Sequence, residues 1–253
     1  ISSKKEYKKV NFRWFKYFMK KILITGASQG IGFELAKSFS KTGDVALYLV
    51  ARDKKKLQNL QLEIKKINPN IVSCIMNIDL TNSEAIKILM ENIKNRFGYL
   101  DIIVHNAGTL VKNDFSKISK KQLEYTFNLN FFVPFLLTQK SIPLLSKNAH
   151  TIFISSIGGV NGTKKFPGLS AYSSSKGALI TLTECLAEEF QINNIRFNCL
   201  ALGAVQTEML NKAFPGYKAP LSANEVSTFI VDFCINGGKY FNGKVIPLAL
   251  TTP

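Results

Sequence analysis

The chain is predicted to be α/β: one domain built on a doubly wound, mostly parallel seven-stranded sheet flanked by helices. Three observations predict it. From residue 20 onward, short apolar runs of strand length alternate with stretches of helical period, the pattern of a parallel sheet with helical crossovers. The first run, Ile22-Leu23-Ile24, leads into a glycine-rich turn, Gly26 to Gly32, that opens a helix. The turns after the first, second, fourth and fifth runs all fall on the carboxyl edge of such a sheet, where open α/β sheets bind ligands.

Each element follows from local sequence. Ile22 to Ile24 has no polar interruption, as a strand covered on both faces requires. Gly26, Gly30 and Gly32 permit a tight turn and close backbone approach to a ligand, and Ile31, Leu35 and Phe39 recur at helical spacing. The unpaired N–H groups at that helix start, with the helix dipole, suit a phosphate. Val45 to Val50 is the second strand, and Leu57, Leu60 and Ile64 mark one face of the next helix. Ile71 to Met76 is the third strand. A helix over 82–96 turns Ile86, Leu89, Met90 and Ile93 inward and stops at Gly98. Asp101 to His105 is the fourth strand, with Asn106-Ala107-Gly108 turning off its end. Residues 120–146 are predicted helical, bent or interrupted at Pro134 and Pro143. Thr151 to Ser155 is the fifth strand, Ala171 to Phe190 a long helix and Ile195 to Leu200 the sixth strand. Residues 203–221, punctuated by Gly203, Pro215, Gly216 and Pro220, are predicted irregular. A helix over 222–235 and a strand from Lys244 to Leu248 complete a domain assigned to residues 19–253.

Composition excludes several classes. Hydrophobic residues make up 46% of the chain, too many for a disordered protein, and no apolar run reaches membrane-spanning length. Cys74, Cys185, Cys199 and Cys234 are scattered, without metal-ligand spacing or a disulfide framework, so a reducing, cytoplasmic setting is expected. With only His105 and His150, neither a histidine metal site nor a Ser-His-Asp triad is expected. The formal charge of +16 admits anionic cofactors, acidic substrates, membranes or nucleic acid, or else a plain lysine-rich surface. The lysine runs sit at predicted helix ends and loops, which favours the surface, and no specific nucleic-acid partner is expected. Residues 1–18 interleave Lys4, Lys5, Lys8, Lys9, Arg13 and Lys16 with aromatic residues. They form either an arm for a membrane or acidic partner, or an extension without a role before Met19; the second is preferred.

Two clusters carry chemistry. At the end of the second strand, where dinucleotide folds often place an acid on the ribose 2′-hydroxyl, this chain has Ala51-Arg52. A guanidinium binds a 2′-phosphate bidentately, which favours NADP(H) over NAD(H). The alternative is a surface Arg52 beside an Asp53 that caps the next helix. In Tyr172-Ser173-Ser174-Ser175-Lys176 the phenol and ammonium share a helix face. A free tyrosine is a poor base at neutral pH, and a nearby ammonium stabilises its phenolate. Lowering the pKa by about three units takes about 4 kcal/mol. Tyr172 would then protonate a carbonyl oxygen as hydride arrives, or deprotonate an alcohol in reverse. Ser155 or Ser156, after the fifth strand, would donate to the developing alkoxide, or simply cap a turn.

These pieces resemble the classical short-chain dehydrogenase/reductases over residues 20–250. The resemblance rests on Thr25-Gly26-Ala27-Ser28-Gln29-Gly30-Ile31-Gly32, Asp79-Leu80, Asn106-Ala107-Gly108, Asn130, Ser156, and Tyr172 with Lys176. It implies a Rossmann-like domain and a catalytic tetrad. Tyr172 would be the acid/base, Lys176 would bind the nicotinamide ribose, Ser156 would polarise the carbonyl, and Asn130 would hold a water linking Lys176 to solvent. Asp79 and Leu80 would line the adenine site, Asn106, Ala107 and Gly108 would support the cofactor pocket, and Thr207 would touch the nicotinamide amide or nearby phosphates. It also implies a homodimer or homotetramer. Ser156 is chosen over Ser155 because it precedes Gly159 by three.

The departures are local. The interval from Ser156 to Tyr172 is long, with Lys164-Lys165-Phe166-Pro167 as an extra loop expected to border the substrate pocket. His105 replaces an asparagine and is read as a packing residue. Leu202 replaces a proline before Gly203, and Gly237-Gly238 precedes the last strand instead of following it. The expected protein is an NADP(H)-dependent, metal-free oxidoreductase interconverting a carbonyl compound and its alcohol. The alternatives are a 3-ketoacyl-thioester reductase recruiting an acidic carrier through Lys164, Lys165, Lys212 and Lys218, and a non-catalytic dinucleotide-binding protein. Met209, Leu210, Phe214 and Tyr217 are expected to supply an apolar wall.

Overall fold

The structure, a computed structural model, describes residues 19–250. In chain order the elements are β1 (Lys20–Thr25), α1 (Gly30–Ser40), β2 (Val45–Ala51), α2 (Lys54–Ile67), β3 (Val72–Asn77), α3 (Ser83–Arg96) and β4 (Leu100–His105). There follow α4 (Lys120–Phe127), a π turn (Asn128–Phe132), α5 (Val133–Ser141), β5 (Leu145–Ser156), α6 (Ser170–Glu189) and β6 (Arg196–Leu202). The chain ends with β7 (Val205–Gln206), α7 (Glu208–Ala213), β8 (Leu221–Ser222), α8 (Ala223–Asn236) and β9 (Val245–Leu248). The main sheet has seven strands in the order β3-β2-β1-β4-β5-β6-β9, every neighbouring pair parallel. Chain direction reverses its course across the sheet between β1 and β4, and the ligand-binding crevice of such sheets lies at that switch.

Strand periodicity sorts the core into layers. Val45, Leu47 and Leu49 of β2 face one side, with Ile22 and Ile24, against Leu35 and Phe39 of α1, Leu57 and Leu60 of α2, and Ile230 of α8. Ala46, Tyr48 and Val50 face the other side, with Leu23, against Ile86, Leu89 and Ile93 of α3 and Leu137 of α5. Phe153 and Phe197 pack on Leu179 and Leu182 of α6. Each such side chain contributes about 1.5–3 kcal/mol relative to exposure. With both faces covered, what remains open is the carboxyl edge.

Three local expectations change. The predicted helical region over 120–146 is α4, a π turn and α5, and the break falls at 128–132, ahead of Pro134. Pro134 sits in the first turn of α5, where its missing N–H costs nothing. β5 starts at Leu145, six residues early, because Leu145 pairs with Leu100 before the register shifts. Residues 203–221 are ordered into β7 and α7 and lead into β8; the two short strands pair in parallel with each other. The arm assigned to residues 1–18 lies outside the described residues.

Candidate functional site

The turn after β1 is built around its glycines. Gly26 and Gly30 have φ of +67° and +57°, the left-handed region that glycine adopts without strain. A Cβ on Gly32 would run into the Gly26 carbonyl oxygen and lie 2.5 Å from Asn106 Nδ2, so only glycine lets α1 start this close to the turn. Asn106 closes the back of the turn: Nδ2 donates to the Thr25 and Gly26 carbonyls at 3.0 and 3.2 Å. Thr25 Oγ1 in turn accepts from the backbone N–H groups of Asn106 and Ala107. The helices α2, α3, α4, α7 and α8 have N-cap side chains that accept from their first turns; Gln29 makes no such bond at α1. The first N–H groups of α1 therefore stay available to an anion.

A cleft of about 650 Å³ opens over this turn and along the strand ends. Of the catalytic and cofactor-binding residues named from the sequence, all but Gly32 and Asn130 line it: Gly26, Ser28, Gln29, Gly30 and Ile31 from the turn, Arg52, Asp79 and Leu80 after β2 and β3, Asn106, Ala107 and Gly108 after β4, then Ser156, Tyr172, Lys176 and Thr207. Gly32 and Asn130 are buried behind it. Asp79 is engaged locally, accepting from the N–H and hydroxyl of Thr81 at 3.0 and 2.8 Å. Asp53 accepts from the Lys56 N–H with its Oδ1 and so caps the start of α2. Thr207 caps α7 and its methyl group lies over Gly30, which brings α7 across the mouth of the turn.

Sequence reasoning missed Lys56. It lines the cleft from the first turn of α2, donates to Gln29 Oε1 at 2.6 Å and lies 3.9 Å from Glu208 of α7. Within the run Lys54-Lys55-Lys56 nothing in the sequence set it apart. Arg52 itself donates to the Tyr125 hydroxyl at 3.3 Å. Glycines that a Cβ would obstruct, an uncapped helix start and two cations at the end of β2 are a donor set that fits a phosphorylated dinucleotide.

At the other end of the cleft, Tyr172 and Ser156 come together, and the Ser156 Oγ also accepts from the Gly158 N–H at 3.3 Å. Burial pushes the phenol above its ordinary value, and the Ser156 hydroxyl opposes that only in part. Lys176 is 5% exposed; burial pulls its ammonium down to about 8, with the Cys199 thiol acting the other way. Its Nζ donates to the Ile154 carbonyl at 2.8 Å and lies 5.9 Å from the Tyr172 ring centroid. Desolvation thus outweighs the lowering expected for the phenol from its neighbour, because the ammonium is directed at β5. Ser155 faces inward and donates to the Lys176 carbonyl at 2.8 Å, so the two serines divide between holding α6 and facing the phenol. His105 packs: its ring stacks on Phe153 at 4.8 Å and its Nε2 meets the Thr138 hydroxyl at 2.9 Å.

Leu110, Leu129, Met209 and Leu210 line the cleft, whereas Phe214, Tyr217 and the loop 160–168 do not. That loop folds on itself: the Lys165 ammonium is taken up by the Val160 and Thr163 oxygens, and Thr163 Oγ1 donates to the Ile157 and Val160 carbonyls.

Comparison with known proteins agrees with this geometry. The family model for short chain dehydrogenase matches residues 20–218. The chain is 36% identical over 199 residues to benzil reductase ((S)-benzoin forming) of Saccharomyces cerevisiae, covering 75% of this chain and 73% of that one. It is 29% identical over 194 residues to a 3-oxoacyl-(acyl-carrier-protein) reductase of Thermotoga maritima, covering 75% and 76%. Its fold matches L-sorbose reductase from Gluconobacter frateurii complexed with NADPH and L-sorbose, with a TM-score of 0.82, 25% identity and coverage of 91% and 95%. The matched range extends from β1 past the tyrosine–lysine helix and α7, and the protein belongs to the short-chain dehydrogenase family of oxidoreductases.

Proposed function

We propose that the protein is an NADP(H)-dependent oxidoreductase that interconverts a carbonyl compound and its alcohol, with Tyr172 as acid/base. The observation that carries this reading is the meeting of Ser156, Tyr172 and Lys176 in one cleft, with the Lys176 ammonium one turn further along α6 and 5.9 Å from the Tyr172 ring centroid. NADP(H), when bound, supplies or accepts the hydride at the substrate carbon. Ser156 donates to the carbonyl oxygen and orients it. Tyr172 passes its hydroxyl proton to that oxygen as negative charge develops, and takes it back in the reverse direction. Lys176 keeps its ammonium 5.9 Å from the Tyr172 ring centroid, and Asn106 keeps the glycine turn in place beneath the cofactor.

Preference for NADP(H) over NAD(H) is supported by Arg52 and Lys56 at the end of β2 and by the engagement of Asp53 in a helix cap. A ketone substrate is supported by the named activities of the benzil and L-sorbose reductases and by the apolar residues Leu110, Met209 and Leu210. The 3-ketoacyl-thioester reading has the Thermotoga relative in its favour. It ranks second because two of its four recruiting lysines are engaged, Lys165 on loop carbonyls and Lys212 on Glu208 at 2.7 Å. Assembly as a homodimer or homotetramer is supported by Phe132, Phe135 and Leu136, exposed together on one face of α5 and the π turn. We assign residues 19–253 to this one catalytic domain. A cytoplasmic setting accords with four cysteines that are all free; among the described residues no helix is long and apolar enough to cross a membrane.

The test is Tyr172→Phe. Its turnover of a ketone with NADPH falls by about 10²- to 10⁴-fold, the usual size of a general acid/base contribution, while NADPH binding followed by fluorescence is kept. A variant with wild-type turnover would point to a dinucleotide-binding protein without this chemistry.

A further inference from the structure

Between Tyr172 and Lys176 the helix carries three serines, and they differ. Ser174 is exposed, Ser173 is half-buried, and Ser175 is fully buried. A helical serine ordinarily satisfies its hydroxyl on its own preceding turn. Ser175 does so, donating to the Tyr172 carbonyl at 2.7 Å, but its Oγ also accepts from Asn130 Nδ2 at 3.0 Å. Asn130 is likewise fully buried and sits in the middle of the π turn. Its Oδ1 accepts from the Thr109 N–H at 2.8 Å, and Nδ2 donates to the Thr109 carbonyl at 2.9 Å. The amide has two hydrogens and one oxygen, and each is used. The neighbouring Gly108 shows where this leads. A Cβ there would lie 3.2 Å from Asn130 Oδ1 and 3.5 Å from Lys176 Nζ, so the amide and the ammonium flank the same glycine.

We propose that Ser175 is a positioning residue of the reaction: by fixing the Asn130 amide against Gly108 and Thr109, it holds the wall on which the Lys176 ammonium rests. This rests on the reading of Tyr172 and Lys176 as the reacting pair. Without the Ser175 hydroxyl, one Asn130 amide hydrogen is left without its partner in a fully buried place. The amide then turns or takes up water, Thr109 loosens, and the ammonium is no longer kept dry. The titratable groups facing that ammonium are the Tyr172 phenol on its own helix and the Cys199 thiol on β6; the Ile154 carbonyl on β5, Gly108 and Asn130 are neutral. Relief of desolvation raises the Lys176 pKa, so the alkaline limb of activity moves to higher pH.

The experiment compares Ser175→Ala with Ser141→Ala. Ser141 is also a buried helical serine bonded to a carbonyl one turn back, on α5, away from the cleft. In Ser175→Ala the Thr109 amide exchanges with deuterium at least tenfold faster, kcat falls at least tenfold with less than threefold change in KM for the ketone, and the alkaline limb shifts up by about half a unit or more. Ser141→Ala moves none of these. The proposal is overturned if Ser175→Ala stays within twofold of wild type in exchange and kcat, or if Ser141→Ala reproduces its effects. Tyr172→Phe, run alongside, separates the two readings. If its turnover is kept while Thr109 exchange stays at the wild-type rate, the catalytic reading fails, not the Asn130 lock, which Thr109 exchange in Ser175→Ala judges without activity.

Discussion

The basic residues at the end of β2 make a prediction at the scale of single side chains. Arg52 and Lys56 are both exposed at the cleft, so neither is held by burial, and each is engaged only by a neutral oxygen or, for Lys56, by a carboxylate at 3.9 Å. A 2′-phosphate offers either one a charged partner in exchange for a weaker one. Replacing Lys56 or Arg52 with Ala should weaken NADPH binding about tenfold each, in line with a charge-assisted hydrogen bond of about 1.5 kcal/mol, and leave NADH binding unchanged. Fluorescence titration with both nucleotides checks this. Equal losses for NADPH and NADH would remove the two residues from the 2′-phosphate site. Asp53 illustrates why a residue type alone is a poor guide at this position. Its carboxylate is the first thing one would assign to a ribose hydroxyl, yet the backbone of Lys56 has taken it.

At the scale of elements, β5 and α6 must meet at a fixed height for Ser156 to reach Tyr172. Gly159 sets that height. A Cβ on it would lie 2.7 Å from the Lys176 carbonyl carbon and 2.7 Å from the Gly177 nitrogen, both backbone atoms that cannot rotate aside. Gly159→Ala should therefore push α6 outward as a unit. The expected result is a loss of about 1–3 kcal/mol in stability, as for other overpacked cores, with a larger proportional loss in kcat than in cofactor binding. Thermal melts and steady-state kinetics on one preparation measure both. The same scale shows what the sequence made legible. β1, β2 and β4 were readable because the centre of a strand covered on both faces is an unbroken apolar run, and the glycine turn was readable because it stands between a strand and a helix. The start of β5 was not, since Ser146, Lys147 and Asn148 give it a polar beginning and Asn148 has a φ of +67°. Nor was the π turn, which leaves no periodicity to detect, or β7 and β8, two residues each. In the site, residues carried by motifs could be named in advance. Lys56 and Ser175 could not, because one looks like any lysine on a helix surface and the other like any of three adjacent serines.

For the molecule as a whole, stability should depend on pH through two histidines that the chemistry does not use. Burial holds His105 at about 3 and His150 at about 4. His150 is fixed as a neutral ring: Asn198 Nδ2 donates to its Nε2 at 3.0 Å, which leaves Nδ1 to donate to the Cys234 carbonyl at 3.1 Å. A proton added at Nε2 would face the Asn198 donor, with Arg196 and Lys20 adding repulsion. In the unfolded chain both rings titrate near about 6.5. Below that pH the unfolded state binds two protons that the folded state refuses, so stability falls as pH falls. The loss approaches about 1.4 kcal/mol per pH unit for each ring, and it runs until the folded-state values are reached. Between pH 6.5 and 5 carboxylates contribute little, so this window isolates the histidines. Urea midpoints measured across it should drop steadily for the wild type. His150→Gln should start lower but fall about half as steeply, because one of the two titrating rings is gone. A slope unchanged by that substitution would place the proton uptake elsewhere. Salt should alter the slope little, since the principal cause in both rings is loss of solvent and not attraction between surface charges.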